Sequence, residues 1–463
     1  DKNGNITAIT SPEGYRKRFT YDAANRRTSV EAHLPPDGVK ISGNAANALL
    51  KTTVRRTLYS YDKAGNLVRQ TLPNGNTIEI EYDEMNRKIR VRDAEGNTTR
   101  LFYDVSGNLI KRVLPENYDP ETDDGPGTSY LYDSMNRLLQ VTNAAGVVVE
   151  RNLYNTAGEI IKRIGATEYM SASDDNDRYG VEYGYDLGGR LKYIATPEAK
   201  AKGIVSQQYS YNSLGHITEF VDGKGNTTKY NLDLWGKIKE VHEASGSVSR
   251  YEYDYAGNLT SVIDGNGNTT QYNYNSLNLI SGIIDPLGGK ISYKYDKQGR
   301  RVWAADKEGR IIHCRYNFDN KLVSSWNEDG ILEKYEYNLD GSLAASISDR
   351  TIHSYTYTPS GRLKRKNTNG VGVLDYEYDK NGRVTRLTDV SGKTVEYNYD
   401  ILGRLTSVAN AGRQTAQYEY NPDNTISRIL YGSGVCAKYD YNMDKKIVGL
   451  LSVDPFGQEL FNG

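Results

Sequence analysis

The chain has 463 residues and a net charge of −1, from 58 basic and 59 acidic side chains. That balance argues against a nucleic-acid binder, which needs a basic stripe, and no run of like charge is long enough to form a charged tail. The two cysteines, Cys314 and Cys436, are too few for a disulfide framework, and no apolar stretch approaches the roughly 20 residues of a membrane span.

Tyrosine is the compositional outlier, with 39 Tyr against 6 Phe and 3 Trp. Its ring is apolar and its hydroxyl needs a partner, so it suits a thin, half-wet layer better than a thick oily core. In chain order, Asp1 to Gly4 opens on a turn signal, and Tyr21 is then the first of nineteen anchor positions. The others are 61, 82, 103, 132, 154, 185, 211, 232, 253, 274, 295, 316, 337, 357, 378, 399, 420 and 441. Eighteen anchors are Tyr and one is Leu232. From Tyr253 to Tyr337, and again from Tyr357 to Tyr441, every step is 21 residues. A fixed short period signals one supersecondary unit used many times.

Each unit reads as two strands and two turns. Two residues before the anchor, Tyr recurs fourteen times, as in Tyr251, Tyr272 and Tyr397. Tyr-x-Tyr has the period of a strand, which places both rings on one face. The residue between them is usually polar (Glu252, Asn273, Glu377), so the opposite face is wet. Asp or Asn follows nearly every anchor, and Thr358 follows one; four residues after the anchor stands Gly or Asn, with Lys445 the single departure. Asp and Asn initiate turns, and Gly and Asn tolerate positive φ, so the spacing predicts strand, tight turn, strand. A second strand carries aliphatic pairs such as Leu259 with Val262 and Leu405 with Val408. A second Asp-to-Gly turn, as at Asp264 to Gly267, returns the chain to the next Tyr-x-Tyr. Tyrosine and aliphatic stripes are expected to interlock along an antiparallel sheet.

The step lengthens at four places before residue 211. The extra residues include Pro35 to Gly38, Pro115 to Gly127 and Ser171 to Asp177, which read as surface loops on one rim. The expected organisation is one continuous repeat body, a fragment of a longer protein, with irregular repeats over 1–210 and regular repeats over 211–463. The nearest candidate for a helix is Ala45 to Leu50.

Tyr378-Asp379-Lys380-Asn381-Gly382-Arg383-Val384 and Tyr399-Asp400-Ile401-Leu402-Gly403-Arg404-Leu405 resemble the Rhs/YD-repeat family, and the resemblance covers essentially the whole chain. It implies an all-β fold, a YD-repeat antiparallel sheet spiralling into a curved or hollow shell. In bacterial relatives such a shell encloses a C-terminal toxin domain; teneurins carry a similar shell in cell adhesion. The implied partners are an encapsulated toxin or effector domain and secretion machinery, and the implied location is secreted or at the bacterial surface. Toxin-releasing members end the shell with a module containing Asp-Pro-x-Gly-Leu and a self-cleavage site. Here Asp454-Pro455-Phe456-Gly457 matches only the opening of that pattern, and Asp285-Pro286-Leu287-Gly288 shows the same short form inside a repeat, so no self-cleaving residue is carried over.

No catalytic, cofactor-binding or metal-binding residue is assigned from the sequence. Asp264-Gly265-Asn266-Gly267-Asn268 resembles the start of a calcium loop, but Thr269 and Asn275 stand where the pattern wants Gly and Glu, and a hairpin turn explains it better. His33, His216, His242, His313 and His353 lack metal-ligand spacing. His313 and Cys314 are neighbours on a strand and so face opposite ways. Carboxylates recur in every unit, which marks a structural role rather than an acid/base pair. The alternative function is adhesion or carbohydrate binding through exposed aromatic rings. Trp235, Trp303 and Trp326 are the best platforms for it, although packing is the expected state of each.

Overall fold

The computed structural model describes residues 1–10, 16–34, 53–166 and 180–463. The candidate helix at Ala45 to Leu50 and the loops at Pro35 to Gly38 and Ser171 to Asp177 lie outside the described residues. Among the described residues, forty strands form one antiparallel sheet, two per repeat. Nineteen strands end on an anchor, from Arg16–Tyr21 to Cys436–Tyr441. The period in the sequence is therefore the period of the sheet.

The register shows why. In the pair Val248–Tyr253 and Leu259–Ile263, Tyr251 stands opposite Val262 and Tyr253 opposite Leu259. The rings and the aliphatic side chains thus share a face, with Glu252 exposed on the other. One extra residue on the second strand shifts the register between Glu252 and Tyr253, and the same irregularity precedes Tyr295, Tyr378 and Tyr420. A bulge of this kind strengthens the local twist and disrupts the ladder beside it. Few side chains are fully buried, the largest being Ile164, Val113 and Asn152. The sheet carries a half-covered layer, where a ring with a polar tip is the fitting residue.

Every anchor is followed by the same turn, here called the anchor turn; the other turn of each repeat is the second turn. All nineteen residues in the slot four after the anchor have positive φ, whether Gly (Gly257, φ 85°), Asn (Asn136, φ 60°) or the exceptional Lys445 (φ 60°). The backbone geometry is constant and the residue choice follows it.

One departure from the sequence expectation appears. Pro197–Ala201 forms a short helix, α1, where no convincing helical pattern was read. Its Pro at the N-terminus and Glu198 in the first turn suit a helix start, and it occupies the place of a second turn in a lengthened repeat. The segment Pro115 to Gly127 is made of turns with a single bridge, Asp119 to Asp124.

Compact packing divides the chain into two units. Unit 1 holds residues 1–101, 114–118 and 272–392; unit 2 holds 102–113, 119–271 and 393–463. Each unit therefore combines early and late repeats.

Candidate functional site

The recurring chemistry is a three-part link between one repeat and the next. The first part is the acidic residue after the anchor. Asp400 Oδ1 accepts hydrogen bonds from the backbone N–H of Leu402 and Arg404, both at 2.9 Å, and Oδ2 accepts from Arg404 Nε at 2.7 Å. Gly403 N–H closes the turn on the Asp400 carbonyl at 2.9 Å. Asp1 makes the same turn, accepting from Asn3 and Asn5 N–H at 2.9 and 2.8 Å. These bonds favour the ionised carboxylate. The backbone N–H of Arg87 holds the Asp83 carboxyl below its ordinary value, and the Asn258 amide does the same for Asp254.

The second part is the anchor hydroxyl. Tyr253 donates to the Ile238 carbonyl of the preceding repeat at 3.0 Å, and Tyr295, Tyr337 and Tyr420 repeat the bond to Ile280, Leu322 and Leu405 at 2.6–2.8 Å. The accepting carbonyl is free because the register pairs Leu232 with Ile238 across a bulge, while the ladder on the other side of Ile238 begins at Glu240 and Arg250. Burial pushes the phenols of Tyr253, Tyr337 and Tyr378 up. Leu232 has no hydroxyl to offer the Ile217 carbonyl.

The third part is a basic side chain five residues after the anchor, which the sequence reading left without a role. Arg26, Arg137, Arg190, Lys237, Arg300 and Arg404 lie over the anchor ring of the next repeat, 4.7–5.3 Å from its centroid. Arg300 also donates to the Asn317 carbonyl at 2.9 Å, and Arg190 to the Asn212 carbonyl at 3.0 Å. Where Asn takes the slot, Asn66 Nδ2 reaches Asn86 Oδ1 at 2.6 Å instead. The recurrence of Arg in Tyr-Asp-x-x-Gly-Arg was the available signal.

Within each unit, early second turns also meet late anchor turns. In unit 1, Asn74 Nδ2 donates to Asp340 Oδ2 at 2.7 Å, Ser360 Oγ to Asp93 Oδ2 at 2.9 Å and Arg362 Nη1 to Glu95 Oε2 at 2.9 Å. Arg55, only 10% exposed, pairs with Asp319 and donates to the Asn338 carbonyl. In unit 2, Thr196 Oγ1 donates to Asp444 Oδ2 at 2.7 Å, and Met443 N–H to Glu198 Oε1 at 3.0 Å. These partners are 245 to 283 residues apart in sequence, which no local pattern reveals.

The residues weighed from sequence do not converge. Asp264 spends its carboxylate on Asn266 and Asn268 N–H and on the Asn268 amide, all at 2.9 Å, as a turn residue. His313 stacks on Trp326 at 5.3 Å, and Lys294 lies 4.5 Å from the Trp303 centroid. Trp235 departs from the packed expectation: it is 82% exposed because its slot in the anchor turn points out of the sheet. Cys314 and Cys436 are both free thiols. His216 and His242 lie on separate repeats, and Glu240, holding Asn231, His242 and Arg250, has its carboxyl pulled down to about 2. Among the described residues, no group of three His, Cys, Asp or Glu side chains is arranged to hold a metal ion.

A family model described as teneurin YD-shell matches residues 1–148 and 153–325, more than half of the chain. The chain belongs to the teneurin YD-shell family. A second model, RHS repeat, matches residues 378–415 of this YD-shell chain. It is 26% identical over 268 residues to the double-stranded DNA deaminase toxin A of Burkholderia cenocepacia, covering 50% of this chain and 17% of that protein. It is 27% identical over 259 residues to the tRNA nuclease WapA of Bacillus subtilis, covering 51% of this chain and 11% of that protein. The YD-shell chain thus corresponds to a small part of each relative. Among solved structures, the Photorhabdus luminescens Tc holotoxin pore gives a TM-score of 0.58 at 15% identity, over 98% of this chain and 26% of that one. The TcdB2-TccC3 crystal structure gives 0.58 at 16%, over 98% and 27%. Both share the fold. No helix among the described residues is long and apolar enough to cross a membrane.

Proposed function

We propose that this chain is a wall segment of a secreted or surface-delivered bacterial YD-repeat protein, whose sheet encloses a C-terminal toxin or effector domain and helps to deliver it. The observation that carries the reading is the three-part link. The anchor hydroxyl and the basic side chain of a repeat are spent on its neighbours, and the turn carboxylate on closing its own turn. Residues 211–463 supply regular wall, and the lengthened repeats of 1–210 supply its variable rim. The relatives named for deaminase and nuclease toxins support the reading, since the segment matched here is only 17% and 11% of those proteins and leaves room for a domain of another kind. Chemistry then belongs to the enclosed domain, and the wall acts by exclusion, keeping protease and bulk solvent from its cargo.

The test is the full-length gene product under limited proteolysis. The expected result is a downstream domain, unrelated in composition to the repeats, that survives protease while the wall is intact and is degraded once the wall is unfolded. A reading frame that continues from Gly463 into a wall anchor, or a downstream domain degraded at the same rate in both states, overturns the proposal.

A further inference from the structure

The link between repeats fails at one junction. Leu232 is the one anchor without a hydroxyl, so the Ile217 carbonyl lacks the bond that its counterparts accept. The basic slot before it holds His216, the one histidine in that slot. From the same slot Arg190, Lys237, Arg300 and Lys321 each donate to a backbone carbonyl in the next anchor turn. The His216 ring lies against Gly236 in the next anchor turn, but its Nδ1 is buried with no partner. On the opposite face of the sheet, Lys229 and Glu219 stand 4.0 Å apart, with the Lys229 side chain 63% exposed, and such a pair is worth little. One junction further on, Arg250 Nε donates to Glu240 Oε1 at 3.1 Å. What holds Ile217–Asp222 to Thr227–Leu232 is therefore the backbone ladder, with Glu219 opposite Lys229 and Val221 opposite Thr227. The lengthened repeats do not share the defect: Tyr61, Tyr132 and Tyr185 donate to the Arg27, Leu109 and Ile160 carbonyls at 2.8, 3.1 and 2.9 Å. Nor do repeats whose basic slot holds Leu279 or Thr425, since Tyr295 and Tyr441 still make their bonds.

We infer that the junction between Ile217–Asp222 and Thr227–Leu232 is a built-in opening line of the sheet, with the turn at 222–226 as its hinge. Along a repeat array, stability is close to a sum of unit terms and nearest-neighbour interface terms, so the array parts first at its weakest interface. Here two of the three parts of the link are absent together, while the hinge turn keeps its own bonds. Asp222 Oδ1 accepts from Lys224 and Asn226 N–H at 2.8 and 2.9 Å, so the turn still joins the strands when the ladder between them opens. The line lies within unit 2 and falls where the lengthened repeats give way to the regular 21-residue step. Opening there separates the irregular repeats from the regular ones.

Native-state hydrogen exchange of the intact chain, read by mass spectrometry on short peptides, tests the inference. The expected result is exchange in 217–232 at least about tenfold faster than in the equivalent pair 238–253, the factor set by one lost hydrogen bond and one lost cation–ring contact. His216→Arg combined with Leu232→Tyr supplies both missing parts. It is expected to slow exchange in 217–232 at least about tenfold and to leave 238–253 unchanged. Lys237→Ala combined with Tyr253→Phe makes the converse change, and is expected to speed exchange in 238–253 to the rate of 217–232. Far-UV circular dichroism confirms that both variants keep the sheet. Equal exchange of the two segments in the wild type, or restored side chains that leave 217–232 as fast as before, overturns the inference.

Discussion

The Arg404 guanidinium lies 4.7 Å from the centroid of the Tyr420 ring, while its Nη1 donates to Asn424 Oδ1 at 3.1 Å and its Nε to Asp400 Oδ2 at 2.7 Å. One side chain therefore closes its own turn, covers the next repeat's ring and holds the next repeat's turn. Arg404→Gln keeps the length of the stem and removes the charge and most of the donors. The expected loss is about 1–3 kcal/mol of stability, read as a lower denaturant midpoint. Arg404→Lys is expected to recover part of the ring contact and little of the forked hydrogen bonding.

Tyr253→Phe keeps the ring and deletes the hydroxyl that the Ile238 carbonyl accepts. The expected cost is about 1 kcal/mol by urea unfolding. Leu232→Tyr runs the experiment backwards, at the one anchor without a hydroxyl, and is expected to raise the midpoint by a similar amount.

Gly215 sits at φ 87° in an anchor turn, with nothing within 4 Å of the place a Cβ would take. The cost of substitution there is conformational and not steric. Gly215→Ala is expected to destabilise by about 1–2 kcal/mol and Gly215→Asn by clearly less, since Asn fills the same slot at positions such as Asn136. Equal losses in thermal unfolding would refute this account of the slot.

The turn carboxylates and anchor phenols set the pH limits. The carboxyl groups of Asp83, Asp254 and Asp264 lie below their ordinary value of 3.8 in the fold, held there by Arg87 N–H and by the amides of Asn258 and Asn268. Their contribution is present above the unfolded pKa and is lost as pH falls through the lower folded value. Burial raises Tyr253 and Tyr378 above 10.0, so their contribution is present below pH 10 and is lost as pH rises through the folded value. The denaturant midpoint is expected to be flat between about pH 5 and about pH 9 and to fall on both sides. A break near pH 6.5 would assign the control to histidine instead.

The repeat and its turns were legible because each slot has one physical demand and nineteen chances to show it. Even Lys445 obeys the geometry, at φ 60°, although its residue type does not advertise it. Arg404 was visible as a motif letter but not as a bridge, because its partners lie in the next repeat. The pairing of Glu95 with Arg362 was invisible: it joins turns 267 residues apart and has no local signature. Trp235 was misread because the aromatic slots within the strands are covered, whereas its own slot lies in a turn and points away from the sheet. The helix Pro197–Ala201 escaped because five residues are too short to show a period.

The central claim is that the repeats are wall and that function lies in what they enclose. Electron cryomicroscopy of the full-length gene product tests it most directly. The account predicts density for the downstream polypeptide on the inner side of a YD-repeat wall. A downstream domain resolved outside that wall, with nothing within it, would contradict the account.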